Sequence, residues 1–541
     1  MRCSGWPRAA TAVLLLLTVP VCGCVRPDRW TVFEDAPGVA AAKTVIDPIR
    51  APSPWLREPA AAEPVAVSEE GPLELSVEKT VMLALAGNRD LRVRNLDPLI
   101  AGAFELIERG RFDPELFAEL EYGEERSQET ARSTGTEFSV EGSDRFAVAG
   151  IRQELPTGAL FEATVAQERS ISNRAPEQQS ARLGLSVTQA LLRGFGPAVN
   201  LAEVRQAEFD TAASRYELRG FTEALLADAE IAYWNYVLAR EEIAIFERSL
   251  TVAEQQRDAI ELRIEVGILA PIEAAAARAE VALRRQALID ARSQLEERRL
   301  RLLRLISPGS DDPLDRVVIA VSDPRLEAEP VTDLSERLQL AEQLRPDLNE
   351  ARLRLASNRL ATVVTRNGLL PRLDLFIALG RSGFADTFSD SFRELDGKAY
   401  DLTGGIRLSH FLGNRTAEGR DFAARASRRQ AAEAVGNLRQ LVRLDVRLAA
   451  NELDRAGKQI AASGVTRALQ EETEQAEMER FDVGSSTALL VAQAQRDLLE
   501  SRIAEMEAIV NYRIALVRLY LAEGSLLERR GIRFDSGTSA P

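Results

Sequence analysis

Apolar and polar residues along this chain alternate with two periods, and the two periods occupy separate segments that recur in the same order. Leu116, Ala118, Leu120 and Tyr122 alternate with Glu115, Phe117, Glu119 and Glu121. Leu183, Leu185 and Val187 supply a further strand, and Phe146 to Leu155 and Ala159 to Ile171 flank the turn sequence Pro156-Thr157-Gly158. Later in the chain Leu373, Leu375, Ile377 and Leu379 alternate with Arg372, Asp374, Phe376 and Ala378, and Leu402, Gly404, Ile406 and Leu408 repeat the pattern. Period two with one apolar face predicts β-strands. Such strands suit either a bilayer wall around an aqueous lumen or a half-buried soluble sheet.

The helical period governs most of the rest. Ser76 to Ala86 (opened by a Ser76 cap) and Asp90 to Arg109 are predicted helices, as are Leu334 to Leu344 and Asp347 to Asn367, with Pro114 and Pro371 as breakers. Val199 to Val266 with Pro271 to Ile306 forms one long antiparallel pair, and Arg415 to Asp482 with Thr487 to Glu523 forms another. At about 1.5 Å per residue the longest arm reaches roughly 100 Å. Frequent alanines, Ala274 to Ala277 and Ala423, Ala424 and Ala426 among them, permit close approach along such arms.

The two halves align at two fixed offsets. Arg263-Ile-Glu-Val-Gly267 returns as Arg480-Phe-Asp-Val-Gly484, and Arg285, Ala291 and Leu302 fall on Arg502, Ala508 and Leu519 at the same offset. Asp90-Leu91 falls on Asp347-Leu348, and Pro114 on Pro371, at a larger offset. The register changes only between about Tyr122 and Gly196, where the first half is longer and carries an extra hairpin. The chain therefore reads as an internal duplication with a variable strand segment.

Arg2, Arg8 and the apolar run Ala9 to Val21 form a signal peptide too short to span a bilayer. It ends in Val21-Cys22-Gly23-Cys24, which resembles a bacterial lipobox, so Cys24 is the expected acylated N-terminus and Val25 favours outer-membrane sorting. The three cysteines all lie here, leaving no disulfide or thiol site after processing. Residues 25 to about 72 are rich in Pro and Ala, as in an extended tether. A content of 45% hydrophobic and 28% charged residues is that of a folded protein, and a net charge of −15 argues against nucleic-acid binding. No later segment reads as a membrane-spanning helix, which leaves a β-barrel or a lipid anchor for any membrane role.

Catalytic patterns are missing. His410 is the single histidine and sits at a strand end. Gly194-Phe195-Gly196 runs into Pro197 without the third glycine of a dinucleotide site. No enzyme activity, cofactor or metal is expected.

The order of helix, strand pair and long helical hairpin, given twice, resembles the TolC family of outer-membrane efflux channels. The residues that carry the resemblance are Asn88 to Leu91, Arg345 to Leu348, Gly368-Leu-Leu-Pro371, Leu191 to Gly196, and the turns Val266-Gly267 and Val483-Gly484. The likeness runs from about Leu73 to Glu528 and implies an α+β membrane protein. In it a long α-helical coiled-coil barrel is continuous with a transmembrane β-barrel, assembled as a homotrimer. Each protomer would give four strands to a shared barrel. The resemblance implies a division into a signal peptide (1–23), a lipid-anchored tether (24–72), a first repeat (73–330), a second repeat (331–529) and a disordered tail (530–541). Strands fall at about 113–192 and 371–411, and helical hairpins at 198–306 and 414–523.

The implied partners are a periplasmic adaptor (membrane fusion) protein, an inner-membrane pump and outer-membrane lipid. The adaptor would dock at Val266, Gly267, Val483 and Gly484. Relatives read Val-Gly-Leu and a small residue at these turns, whereas this chain has Ile268-Leu269 and Ser485-Ser486. Relatives constrict the closed channel with a carboxylate ring after the second turn. Here Leu489, Leu490 and Gln493 occupy that region, with no carboxylate before Asp497, so an apolar and amide aperture is expected. The alternative is a lipid-anchored periplasmic coiled-coil scaffold or adaptor, which would lack membrane-facing strands in both halves.

Overall fold

The computed structural model describes residues 71–532 apart from 131–134, 174, 307–312, 326–327 and 329–331. The signal peptide, Cys24, nearly all of the tether and most of the C-terminal tail lie outside the described residues.

Strand β1 (Leu73–Leu75) leads through the Ser76 cap, whose hydroxyl accepts from Lys79 N, into α1 (Val77–Gly87). The helix expected over Asp90 to Arg109 is broken into α2 (Arg89–Arg94) and α3 (Asp97–Gly110). Pro98 explains the break, because it has no N–H and its ring crowds the carbonyl one turn back. Four strands follow: β2 (Glu115–Thr130), β3 (Glu137–Glu154), β4 (Ala159–Ser172) and β5 (Ala175–Ala190). A single turn, α4 (Pro197–Asn200), opens the first arm, α5 (Ala202–Glu265), which returns as α6 (Ile272–Ile306).

The second half begins with β6 (Val318–Ala320), α7 (Leu334–Leu344) and α8 (Pro346–Gly368). Strands β7 (Arg372–Ala385) and β8 (Tyr400–Ser409) flank the short helix α9 (Phe388–Arg393). The second arm is α10 (Arg415–Asp482) with α11 (Ala488–Glu523), and α12 (Leu526–Arg529) ends the fold. At about 1.5 Å per residue the 64 residues of α5 and 68 of α10 each reach roughly 100 Å.

Both halves feed one antiparallel sheet in the order β2-β3-β4-β5-β7-β8. The chain therefore supplies six strands, not the four implied by the resemblance. The difference is the longer strand segment of the first half, which folds as an additional hairpin within the sheet. Five of the six strands are 14 to 18 residues long, longer than the alternation alone marked out.

At the middle of the helical arms β1 pairs in parallel with β6. Tyr233 donates its hydroxyl to Leu75 O at 3.1 Å and accepts from Ser322 N at 3.0 Å, and Tyr236 donates to Val318 O at 2.7 Å. These bonds fasten the two-stranded ribbon to α5. Around it Leu75, Leu226, Tyr233, Leu303, Ile306, Leu526 and Leu527 are almost fully buried and form the main core. A second core, of Val442, Val446, Leu453, Tyr512 and Leu519, joins α10 to α11. Elsewhere α10 is mostly exposed, whereas α5 is buried along much of its length.

Candidate functional site: a two-faced sheet and paired hairpin tips

Following the ladder across the six strands separates its residues into two faces. Leu116 lies opposite Ile151, Ile151 opposite Ala163, Ala163 opposite Leu185, Leu185 opposite Leu379, and Leu379 opposite Leu402. On this face every strand carries a run of apolar side chains: Leu116 to Tyr122 on β2, Ala147 to Ile151 on β3, Phe161 to Val165 on β4, Ala181 to Val187 on β5, Leu373 to Leu379 on β7 and Leu402 to Leu408 on β8. Most of its large members are exposed in the single chain, Leu120 at 85%. The opposite face carries Glu115, Glu119, Glu121, Arg152, Glu162, Thr164, Glu168, Arg182, Asp401, Thr403 and Arg407. Its charges interlock, Arg152 with Glu115 at 2.6 Å and Arg182 with Asp401 at 2.7 Å. A wide apolar face left open to solvent on a sheet whose other face is charged fits lipid on one side and water on the other.

The apolar belt does not run square to the strands. Leu116 is the lowest belt residue of β2, yet its row across the sheet ends on Leu379 and Leu402, near the top of the belt on β7 and β8. The belt thus falls by about 20 Å over a sheet width of about 20–24 Å, a slope of roughly 40–45°. Strands in membrane barrels tilt by that amount, so a slanted belt becomes a level band once the sheet stands in a bilayer. Tyr122 and Tyr400 bound the belt at the end away from the helices, as interfacial aromatics do. The sheet does not close on itself, and β2 and β8 each keep an unpaired edge.

The opposite pole of the molecule is formed by the two hairpin turns. Gly267 and Gly484 have φ of +78° and +77°, and nothing lies within 4 Å of a Cβ placed on either. The requirement for glycine is therefore conformational and not one of space. Ile268 N donates to Arg263 O and Gly267 N to Ile264 O; Ser485 N donates to Arg480 O and Gly484 N to Phe481 O. Both helices thus end in the same αL glycine cap. Val266 and Val483 stand exposed beside them, Val483 at 80%.

The tips also pack on each other. Ile260, Ala277, Phe481, Ala488 and Val491 make a small core between the arms. Arg263 lies over the Phe481 ring and bonds Asp482 at 2.6 Å. Glu273 accepts from Ala488 N at 3.2 Å, adding to the Thr487 cap of α11. Leu489, Leu490 and Gln493 lie on the exposed face of α11 near this turn, one turn before the exposed Asp497. His410 is exposed just past the end of β8.

Sequence reasoning found the turns, strands and arms but missed what joins them. The Arg263 bridge to Asp482 joins residues far apart in the chain, and only the equivalence of Arg263 with Arg480 in the repeat marks the position. The partnership of Gly158 with Gly194 and Asn200 was missed as well, although each lies in a glycine-rich turn. In the helical region Glu223 is buried beside Arg219 (3.0 Å), and burial pushes its carboxyl up to about 7. Among the described residues no cluster of His, Cys, Asp or Glu could hold a metal ion, and no helix is long and apolar enough to cross a membrane.

Solved structures share this architecture. The Campylobacter jejuni CmeC outer membrane channel is 18% identical, with 85% of this chain and 91% of that chain covered and a TM-score of 0.62. The open state of the Neisseria gonorrhoeae MtrE outer membrane channel is 20% identical, with 83% and 89% covered and a TM-score of 0.56. The outer membrane protein VceC of Vibrio cholerae is 16% identical, with 83% and 96% covered and a TM-score of 0.61. At such identities the likeness is one of fold. No curated protein sequence matches the chain. The sequence profile described as outer membrane efflux protein matches in two segments, residues 82–307 and 337–525, which take in both helical arms and the whole six-stranded sheet. The chain belongs to the outer membrane efflux protein family.

Proposed function

We propose that three copies of this outer-membrane efflux channel close their sheets edge to edge into one barrel and their helical arms into one periplasmic tunnel. Substrates then pass passively from a periplasmic adaptor and an inner-membrane pump to the exterior. The observation that carries the reading is the slanted apolar belt on a sheet with two open edges. In hydrocarbon every edge N–H and C=O needs a partner, and the β8 edge of one copy with the β2 edge of the next supplies it. The arms support the same assembly. Leu441, Leu444, Leu448, Val465 and Leu469 form an exposed seam at coiled-coil spacing on α10, and Ile272, Leu283 and Leu300 do so on α6.

Within this reading the two halves arose by duplication. Cys24 carries the lipid that holds the N-terminal tether at the inner face of the outer membrane. Val266, Gly267, Val483 and Gly484 form the adaptor-docking surface, and Leu489, Leu490 and Gln493 the aperture. A periplasmic scaffold or adaptor would have no use for an apolar belt of this extent, which disfavours that alternative.

Detergent-solubilised protein should scatter light as three chains, and replacing Gly484 with tryptophan should abolish transport while leaving that stoichiometry intact. A stable monomer in mild detergent would overturn the assembly. Undiminished transport with both tip glycines replaced would reduce the turns to helix stops.

A further inference from the structure

The hairpin β3–β4 is the part of the sheet that the second half of the chain lacks, where β7 and β8 stand alone. It could fold over the mouth of the channel, or it could be wall. Four observations bear on this.

First, the ladder is continuous on both sides: β3 pairs with β2 from Glu115↔Arg152 to Thr130↔Glu137, and β4 with β5 from Ala159↔Gln189 to Ser172↔Ala175, broken only by a bulge near the far end. Second, the hairpin carries its share of both faces. Ala147, Ala149, Ile151, Phe161, Ala163 and Val165 continue the apolar belt at the same slant, while Arg152, Glu162 and Thr164 continue the polar face.

Third, the hairpin turn is built into the base of the wall, at the end where the strands enter the helices. Gly158 has φ +84°, and a Cβ there would meet Gly194 O at 2.1 Å. Its carbonyl accepts from Ala190 N, Thr157 O accepts from Gly196 N, and Asn200 Nδ2 donates to Pro156 O. Arg111 bonds both Glu154 (2.8 Å) and Glu203 (3.3 Å), bridging the end of β3 to the start of α5. A hairpin whose turn is clamped at the helical end and whose strands run the full height of the belt is not a lid. Fourth, two added strands preserve the antiparallel alternation, so the edges β2 and β8 still face in senses that can pair between copies.

We infer that β3–β4 is a constitutive part of the barrel wall, so that this channel crosses the outer membrane as an eighteen-stranded barrel, half as wide again as the twelve strands that four per protomer would give. The inference rests on the trimeric reading above and deepens it. With strands about 4.8 Å apart and tilted roughly 40°, each occupies about 6.3 Å of circumference, so eighteen strands give a backbone radius of about 18 Å and twelve about 12 Å. Barrels of sixteen to eighteen strands keep an open aqueous bore. The outer-membrane segment then sets no size limit for cargo that has passed the helical tunnel, and selection falls to the tunnel and its tips.

The test is a distance. A single nitroxide placed at Leu402→Cys, on the belt of β8, reports the side of the triangle formed by three copies. Pulsed electron-electron resonance should give backbone separations of about 31 Å for eighteen strands and about 21 Å for twelve, from the same circumference argument. Light scattering on the same sample counts the chains independently, so failure of the trimer is told apart from failure of the wide barrel. A trimer with the short distance would overturn the inference. Removing Glu137–Ser172 leaves β2 free to pair with β5 and should shorten the distance by about a third in a surviving trimer; an unchanged distance would place the hairpin outside the wall. Should that variant fail to assemble, the parent distance still decides.

Discussion

At the scale of single residues, the sequence places charge where the fold must either pair it or suppress it. Glu230 is fully buried and held in a fork by Arg530, and Glu523, also buried, is held by Arg337, Arg529 and Ser525, so α12 and the residue after it are tied to the helical arms through buried carboxylates whose arginine partners stay partly exposed. Glu223 is treated differently. Burial dominates over Arg219, and its carboxyl titrates at about 7 instead of at its ordinary value of 4.5. A raised carboxyl favours the folded state most when protonated, so its contribution is fully present below pH 4.5 and is lost as pH rises through 7. A displacement of this size corresponds to about 3 kcal/mol. Glu223→Gln should therefore flatten the stability profile between pH 5 and 8. It should raise the melting temperature at pH 8, by up to about 2 kcal/mol of stability after the lost Arg219 contact, with little change at pH 5. Thermal melts of both proteins across that range check it, and a parallel loss of stability at every pH would show that Glu223 is needed as an anion.

At the scale of elements, the arms differ in what they bury. The exposed face of α11 near its start carries Leu489, Leu490 and Gln493. Three symmetry-related copies of that face would make a neck that excludes ions by dewetting, without a carboxylate to bind cations. The paired variant Leu489→Ser with Leu490→Ser should raise resting conductance in planar bilayers several-fold, and the parent channel should be blocked little by divalent cations from the periplasmic side. Strong divalent block would point instead to Asp497, one turn further along the same face. The tips pack on each other through the shared core around Phe481 and the Arg263–Asp482 pair. An adaptor would meet the two glycine turns as one surface.

At the scale of the whole molecule, two of the exposed apolar sets are ones that one chain cannot cover: the slanted belt and the seams of α6 and α10. In the proposed trimer lipid would cover the first and further copies the second. Leu444→Glu with Leu448→Glu, placed in the α10 seam away from the core of Val442, Val446 and Leu453, should lower trimer yield sharply while leaving the secondary structure of each chain intact. Light scattering together with circular dichroism reads both quantities. A full yield of trimers would show that the seam faces solvent.

Local pattern alone determined the two periods, the long arms and their ends, the αL glycines at 267 and 484, and the charged and apolar faces of β2, β7 and β8. These are legible because a strand alternates every residue and a helix every three or four, and because only glycine accepts a positive φ cheaply. The break at Pro98 also lay in the sequence, since proline ends the preceding helix wherever the fold puts it. Tertiary structure decided the rest. That β3–β4 enters the sheet, that the belt slants across six strands, that Gly158 abuts Gly194 and that Arg263 reaches Asp482 all depend on register between segments far apart in the chain. Register is set by hydrogen bonding and packing summed over a whole sheet or helix pair, and no single residue carries it.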